Sequence, residues 1–372
     1  RPVVKLRTDD YALMLQYYSN GNKEDWKKRK LQLQRLIADD AQIYQLFSQN
    51  IGIELYSKDE FISKLTIPTS SLRNIKILDK LSKSNQNISP LTKGVKHLYI
   101  NAYSKDIDDL NFINYDSVNS LCYYFLNVSD IKYLFKMDNM PNIQRFGIKI
   151  LNSTNGNISF DFENIPNIKT LTEFTLISHK GLNRTINLNS LFNSKTIKKL
   201  HIEICNLGEE VNLKEDISIN NSVLERLEIE RQFAELLFKN KTKINLTNLK
   251  YLKIRSLLWG YEKMDFTFLK KIPQLNTLIV PQCYSFINAS VLKDTILKNM
   301  CITFNYSMLG KEMDKFQEFV LVLCNSSIQN IEIRFTFCEE YNLFQNEFIL
   351  IRLFNVLKSL DKKNSVLLKF SQ

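Results

Sequence analysis

Residues that usually perform catalysis or bind metals are few and scattered in this sequence. The three histidines, His97, His179 and His201, are far apart, and none has Cys, Asp or Glu neighbours at the spacing of a metal site. The glycine-rich phosphate-binding patterns and the paired-histidine pattern of zinc proteases are absent. Because the chain has only nine glycines, loops that bind phosphate through backbone N–H groups are not expected. The sequence therefore predicts a protein without catalytic residues, cofactor or metal.

Charge and cysteine content restrict the partners and the compartment. The formal net charge is +11, but 39 acidic residues are interspersed with 50 basic ones. A nucleic-acid surface is therefore less favoured than a protein partner, although it stays open. The six cysteines have neither the paired spacing of a zinc site nor the density of a disulfide framework, which predicts a cytoplasmic or nuclear protein. No run of eighteen apolar residues occurs, so no membrane span is expected.

A regular spacing of apolar residues organises the chain from residue 72 onward. Apolar or aromatic residues occupy the first, fourth and sixth places of a six-residue segment that recurs eleven times at intervals of 22 to 31 residues. The middle members are Ile75, Leu98, Leu121, Phe146, Phe174, Leu200, Leu227, Leu252, Leu278, Met300 and Ile331. Alternating apolar residues on a short strand point into a core, so this period predicts one parallel strand per repeat.

The segments between the predicted strands change in character along the chain. Most are short alternating runs, such as 264–272, which predict extended or 3-10 pieces. Toward the end, residues 312–323 and 344–360 have the length and apolar spacing of helices. Residues 365–370 are predicted to form a last strand.

The segment from Ile197 to Cys205, with Ile197, Leu200, Ile202 and Cys205 in the defined places, resembles the strand of a cysteine-containing leucine-rich repeat. The resemblance implies a solenoid with a parallel sheet on its concave side. The third, fifth and seventh positions of each repeat would face outward there and contact a protein partner. The candidate residues are Tyr99, Tyr124, Arg145, Lys149, Lys199, His201, Glu203, Arg226, Glu228, Glu230, Tyr251, Lys253 and Arg255.

Residues 1–65 lack the repeat and are predicted to form a helical module. An apolar first helix, a polar turn and a second helix led by Trp26 resemble an F-box over residues 9–48. This resemblance implies that Leu15, Trp26, Leu36 and Tyr44 bind a Skp1-like adaptor. The same helices would also serve as a cap on the first repeat, and both interpretations stay open.

These patterns predict an α/β leucine-rich-repeat solenoid of eleven to twelve units over residues 66–372, with helix-bearing C-terminal repeats. The expected function is non-catalytic protein recognition. Together with the N-terminal resemblance, the repeat class implies an F-box-type substrate receptor of a ubiquitin-ligase complex. A structural or assembly subunit is the alternative, and a nucleic-acid-binding scaffold is third.

Overall fold

The architecture was described from a computed structural model. The described residues are 4–7, 51–55, 74–77, 96–102, 116–128, 140–153, 168–178, 189–204, 218–238, 243–255, 263–283, 285–336, 347–358, 360 and 365–371. The chain divides into two compact units. The first consists of residues 1–186 with 208–211, and the second of residues 187–207 with 212–372.

The first unit contains a parallel sheet in which each strand pairs with the next one along the chain. Its strands are β1 (Val4–Arg7), β2 (Ile51–Leu55), β3 (Asn74–Ile77), β4 (His97–Ala102), β5 (Ser120–Val128), β6 (Arg145–Ser153) and β7 (Glu173–Ser178). The register aligns the middle residues of the predicted repeats, for example Leu121 with Phe146 and Phe146 with Phe174. The sequence period is therefore converted directly into strand register.

This sheet begins earlier than the repeat pattern indicated. Strands β1 and β2 both precede residue 72, and they align Leu6 with Ile53 and Ile53 with Ile75. Each of these two segments lacks one apolar member of the pattern, because Thr8 follows Leu6 at the sixth place and Asn50 stands at the first place before Ile53. The two strands were missed for this reason. The predicted helices of the N-terminal module lie outside the described residues, so that module stays a prediction.

The described strands of the second unit are, in chain order, β8 (Lys199–Ile204), β9 (Ser218–Asn220), β10 (Arg226–Glu230), β11 (Lys243–Asn245), β12 (Tyr251–Arg255), β13 (Lys263–Asp265), β14 (Thr277–Cys283), β15 (Ser285–Ile287), β16 (Asn299–Asn305), β17 (Asn330–Thr336) and β18 (Ser365–Ser371). The main parallel sheet has the order β8-β10-β12-β14-β16-β17-β18. Two short parallel pairs, β9 with β11 and β13 with β15, lie on the return segments. This arrangement is an α/β leucine-rich-repeat solenoid, as the period predicted.

The described helices of the second unit are α1 (Asn189–Phe192), α2 (Arg231–Phe238), α3 (Tyr306–Cys324) and α4 (Glu347–Leu357), with 3-10 helices at Phe266–Lys271 and Ala289–Asp294. The two C-terminal helices, the last strand and the 3-10 piece at 266–271 confirm the sequence-based predictions. Helix α2 was not predicted, because its eight residues follow β10 without an intervening turn signal.

Aromatic side chains fill the core of the second unit near its C-terminal helices. Phe319 on α3 is buried and stacks on Phe286 with ring centroids 4.0 Å apart. Phe266 and Phe304 are also buried, and both contact the ring of Phe319. Burial of each such side chain contributes roughly 2 to 3 kcal/mol, which holds the return segments against the sheet.

A buried asparagine satisfies the backbone of the turn before β10. Asn221 is fully buried, and its amide nitrogen donates to the carbonyl oxygens of Phe192 at 2.9 Å and Ser194 at 3.0 Å. Its side-chain oxygen accepts from the backbone N–H groups of Val223 at 2.7 Å and Leu224 at 2.8 Å. Buried backbone groups need such partners, so Asn221 joins two successive repeats.

Candidate interaction surface

The sheet of the second unit buries one face and leaves the other accessible. On β12, Leu252 and Ile254 are buried, whereas Tyr251, Lys253 and Arg255 alternate with them and are partly exposed. We call the side of this sheet that carries Tyr251, Lys253 and Arg255 the open face. Because successive side chains of a strand point to opposite sides, the apolar pattern of the sequence also determines which polar residues reach it.

Strand register brings charged residues of β8, β10 and β12 together on the open face. Pairing aligns His201 with Glu228 and Glu228 with Lys253. Neighbouring strands are about 4.8 Å apart, a distance that arginine and glutamate side chains span easily. The result is a group of ion pairs and hydrogen bonds, here called the charge cluster, that consists of His201, Glu203, Arg226, Glu228, Lys253 and Arg255.

Glu228 is the centre of the charge cluster. Arg226 donates to its Oε1 atom from NH2 at 2.6 Å and from Nε at 3.1 Å. Arg255 donates from NH2 to Oε2 at 2.9 Å, and the Nζ atom of Lys253 lies 3.9 Å from the same oxygen. Charge-assisted bonds from two guanidinium groups fix this carboxylate and both arginines in place.

Glu203 forms the second anchor. Its Oε2 atom accepts from NH1 of Arg255 at 3.1 Å and lies 3.2 Å from Nε2 of His201. Arg255 thus bridges two carboxylates, while its Nε atom is buried without a hydrogen-bond partner among the described residues. On the other side of the cluster, the guanidinium of Arg226 lies 4.0 Å from the ring centroid of Tyr251, which is a cation–π contact.

The cations of the cluster lie above the carboxylates. The side chains of Arg226, Arg255 and Lys253 are 43%, 33% and 30% exposed, whereas those of Glu203 and Glu228 are 7% and 11% exposed. The basic side chains of the cluster are therefore more accessible to an approaching molecule than the carboxylates. The buried carboxylates act mainly to position them.

Ionisation follows from this geometry. Desolvation by itself would raise the pKa of Glu228, but the hydrogen bonds from Arg226 and Arg255 outweigh it and the pKa lies below its ordinary value. Burial raises the pKa of the Tyr251 phenol. At neutral pH, Glu228 is therefore a carboxylate already held by cations, and Tyr251 is a neutral phenol.

Three of the predicted contact residues are less accessible than expected. The sequence placed Glu203, Glu228 and Glu230 on an outward-facing surface, but all three are buried. Glu230 accepts a hydrogen bond from the backbone N–H of Phe233 at 3.3 Å, so it caps the first turn of α2. Alternation along a strand could not reveal this, because each carboxylate is drawn toward a donor on another segment.

The remaining candidates divide between the units. Lys199 is exposed at the start of β8, and Arg226, Tyr251, Lys253 and Arg255 lie on the open face. Their role in binding stays a prediction.

In the first unit, Arg145 forms an ion pair with Glu173 at 3.3 Å, and Lys149 and Tyr124 are partly exposed. The side chain of Tyr99 on β4 lies outside the described part, as do Leu15, Trp26, Leu36 and Tyr44 of the F-box-like segment. The adaptor surface therefore stays a prediction.

A second ion-pair group on the open face includes a residue that the sequence analysis did not select. Glu332 accepts from Nε of Arg334 at 2.9 Å, and the Nζ atom of Lys369 lies 2.6 Å from the same oxygen. The hydrogen bond from Arg334 holds the pKa of Glu332 below its ordinary value. The alternation in β18 was the signal that would have found Lys369, because it pairs with Arg334 in register.

The described residues contain no group of three or more His, Cys, Asp or Glu side chains that could hold a metal ion. Within the same part of the chain, no helix is long and apolar enough to cross a membrane.

Among the comparisons with known proteins, only the one with solved structures found a match. No family model matches the sequence, and no curated protein matches it. Among solved structures, the chain is similar to one in the crystal structure of the mouse RP105/MD-1 complex, with a TM-score of 0.40 and 12% sequence identity. The match covers 86% of this chain and 59% of the chain in that crystal structure. This chain therefore spans less than two thirds of the length of the solved chain.

Proposed function

We propose that this protein is a non-catalytic scaffold that recognises another protein through the open face of its second unit. The observation that carries the proposal is that the partly exposed Arg226 and Arg255 are held in place by the buried carboxylates Glu203 and Glu228, while the ring of Tyr251 lies against the guanidinium of Arg226. Arginine and tyrosine are enriched among residues that dominate protein interfaces. Prior fixation of their side chains reduces the entropy lost on binding.

The ion pairing of the cluster supports binding rather than catalysis. A general base needs a carboxylate that can accept a proton near neutral pH. Glu228 is instead bonded by two guanidinium groups, which lower its pKa, and Glu203 is engaged by Arg255. These groups are suited to hold a surface in one conformation.

Site-specific photo-crosslinking tests the proposal. A benzophenone amino acid is introduced in place of Lys199, which is exposed at the start of β8, and in a second variant in place of Lys270, which is exposed on a return segment. In extracts of the native cell, we expect reproducible protein adducts from position 199 and none above background from position 270. Equal labelling at both positions, or no protein adduct from position 199, would contradict the proposal.

The finer function that we propose is that of an F-box-type substrate receptor in a ubiquitin-ligase complex. Its support is the order of apolar and aromatic residues over 9–48, with Leu15, Trp26, Leu36 and Tyr44 as adaptor contacts. Such a receptor would work in the cytoplasm or nucleus. Co-expression with a Skp1-like adaptor tests it: the pair should copurify, and Trp26→Asp should release the adaptor. A chain that folds but never copurifies with the adaptor would refute this assignment.

A further inference from the structure

Resting on the proposed scaffold function, we propose that the open face of the second unit recognises an acidic segment of its partner protein. The basic and the acidic side chains of the cluster differ in exposure. The side chains of Arg226, Lys253 and Arg255 are partly exposed, whereas the carboxylates that hold them are buried. The surface presented to a partner is thus positive even though glutamates are abundant in the sequence of these strands.

The net charge of the surface is small and matches a short acidic segment. Lys199, Arg226, Lys253 and Arg255 supply four positive charges, and Glu203, Glu228 and the α2 cap Glu230 supply three negative ones, which leaves one positive charge. The three strands β8, β10 and β12 extend over roughly 10 Å at the usual strand spacing. One carboxylate of a partner would complement a patch of this size and charge.

Nucleic acid fits the same surface poorly. A duplex carries one negative charge per about 1.7 Å of its axis, which far exceeds what this patch can neutralise. Single strands gain affinity by stacking bases on aromatic rings. On the open face of β8, β10 and β12, the aromatic residue is Tyr251, and the guanidinium of Arg226 already lies over its ring at 4.0 Å.

The ion pairs also explain why the surface would select an acidic partner. The arginines cannot turn away without leaving Glu203 and Glu228 buried and uncompensated. A basic or apolar segment at this place would desolvate fixed cations without replacing their lost hydration. A carboxylate of the partner, in contrast, joins a network whose cations are already oriented.

Fluorescence anisotropy on the full chain tests the inference with three labelled probes of equal length or charge. These are a short peptide of alternating Glu and Ser, its twin with Lys in place of Glu, and an oligothymidylate with as many charges as the acidic peptide. We expect the acidic peptide to bind most tightly, with an affinity that falls as salt is raised. Tighter binding of the oligothymidylate or the Lys peptide, or no binding of the acidic peptide, would overturn the inference.

Variants assign the binding to the open face. Arg226→Gln should weaken binding of the acidic peptide about tenfold, the effect of losing one charge-assisted contact. Lys253→Gln should act in the same direction, and it preserves the hydrogen bonds of both arginines because Lys253 contacts Glu228 only at 3.9 Å. Lys270→Gln removes the same charge from a return segment and should leave affinity unchanged. Equal loss in the control and the open-face variants would also overturn the inference.

The two proposals fail in distinguishable ways. Protein adducts from position 199 without binding of the acidic peptide would leave the scaffold function standing and refute the acidic partner. Absence of such adducts would refute the scaffold function itself.

Discussion

Arg255 on β12 binds Glu203 on β8 across the whole width of β10, with NH1 3.1 Å from Oε2. The two residues are 52 positions apart in the chain. The same guanidinium donates to Glu228, so one side chain connects three successive repeats on the open face. Because each repeat of a solenoid otherwise contacts only its neighbours, this bridge adds a contact beyond the nearest-neighbour pattern.

Replacement of Arg255 by Met should destabilise the second unit by about 2 kcal/mol, because two carboxylates with side chains 7% and 11% exposed lose a shared cation. The partial exposure of Arg255 keeps the loss below that of a fully buried pair. Urea denaturation followed by circular dichroism measures the effect. Lys253→Met is the matched control, and its free energy of unfolding should change by less than about 0.5 kcal/mol. Similar losses in both variants would show that the Arg255 bridge contributes no more than an ordinary surface ion pair.

Stability should decrease in acid partly through Glu228. Its pKa is lower in the folded protein than the ordinary value of 4.5, so the folded state favours the carboxylate. The corresponding stabilisation is present above the unfolded pKa and is lost as the pH falls from about 4.5 through the lower folded pKa. Thermal unfolding across this range should show a smaller pH dependence for Glu228→Gln than for the unmodified chain. The same pH dependence of stability in the two proteins would exclude Glu228 as a source of the acid sensitivity.

Asn221 offers a test of the buried turn. Asn221→Ala should lower stability by roughly 2 to 4 kcal/mol, because two backbone N–H donors, one of them buried, and two carbonyl acceptors lose their partner. Asn221→Ser should recover part of the loss, because the hydroxyl of Ser194 accepts from the N–H groups of Thr196 and Ile197 in the repeat before it. Equal stability of the Ala and Ser variants, measured in urea, would contradict the hydrogen-bond explanation.

Gly147 on β6 should be coupled to Cys122 on β5. A Cβ atom at position 147 would lie 3.2 Å from the Sγ atom of Cys122, which is closer than ordinary van der Waals contact. We expect Gly147→Ala to be neutral or destabilising by about 1 kcal/mol in the native background. In a Cys122→Ala background the same change should stabilise, because alanine restricts the unfolded chain more than glycine does. A double-mutant cycle without coupling would refute the steric account.

Much of the fold could be predicted because the spacing of apolar residues in the sequence fixes which residues of neighbouring strands pair. Leu200, Leu227, Leu252 and Leu278 each occupy the middle of a predicted hexad, and each pairs with the next in the sheet. Strands β1 and β2 were not predicted, because in each of them a polar residue stands at one position that the repeat pattern requires to be apolar. The structural role of Asn221 was not predicted, because it depends on carbonyl groups of the preceding repeat.

The sequence by itself determined that the chain stacks parallel strands and which residues of each strand leave the core, since a side-chain period of two follows from backbone geometry. The tertiary structure alone decided what those residues do. Glu203 and Glu228 are equivalent to any polar residue in the pattern, yet lateral contacts with Arg226 and Arg255 leave the two carboxylates much less exposed than the arginines. The physical reason is that strand register determines only which backbone segments are neighbours. The partners of long charged side chains across the strands depend on distance, desolvation and hydrogen-bond geometry.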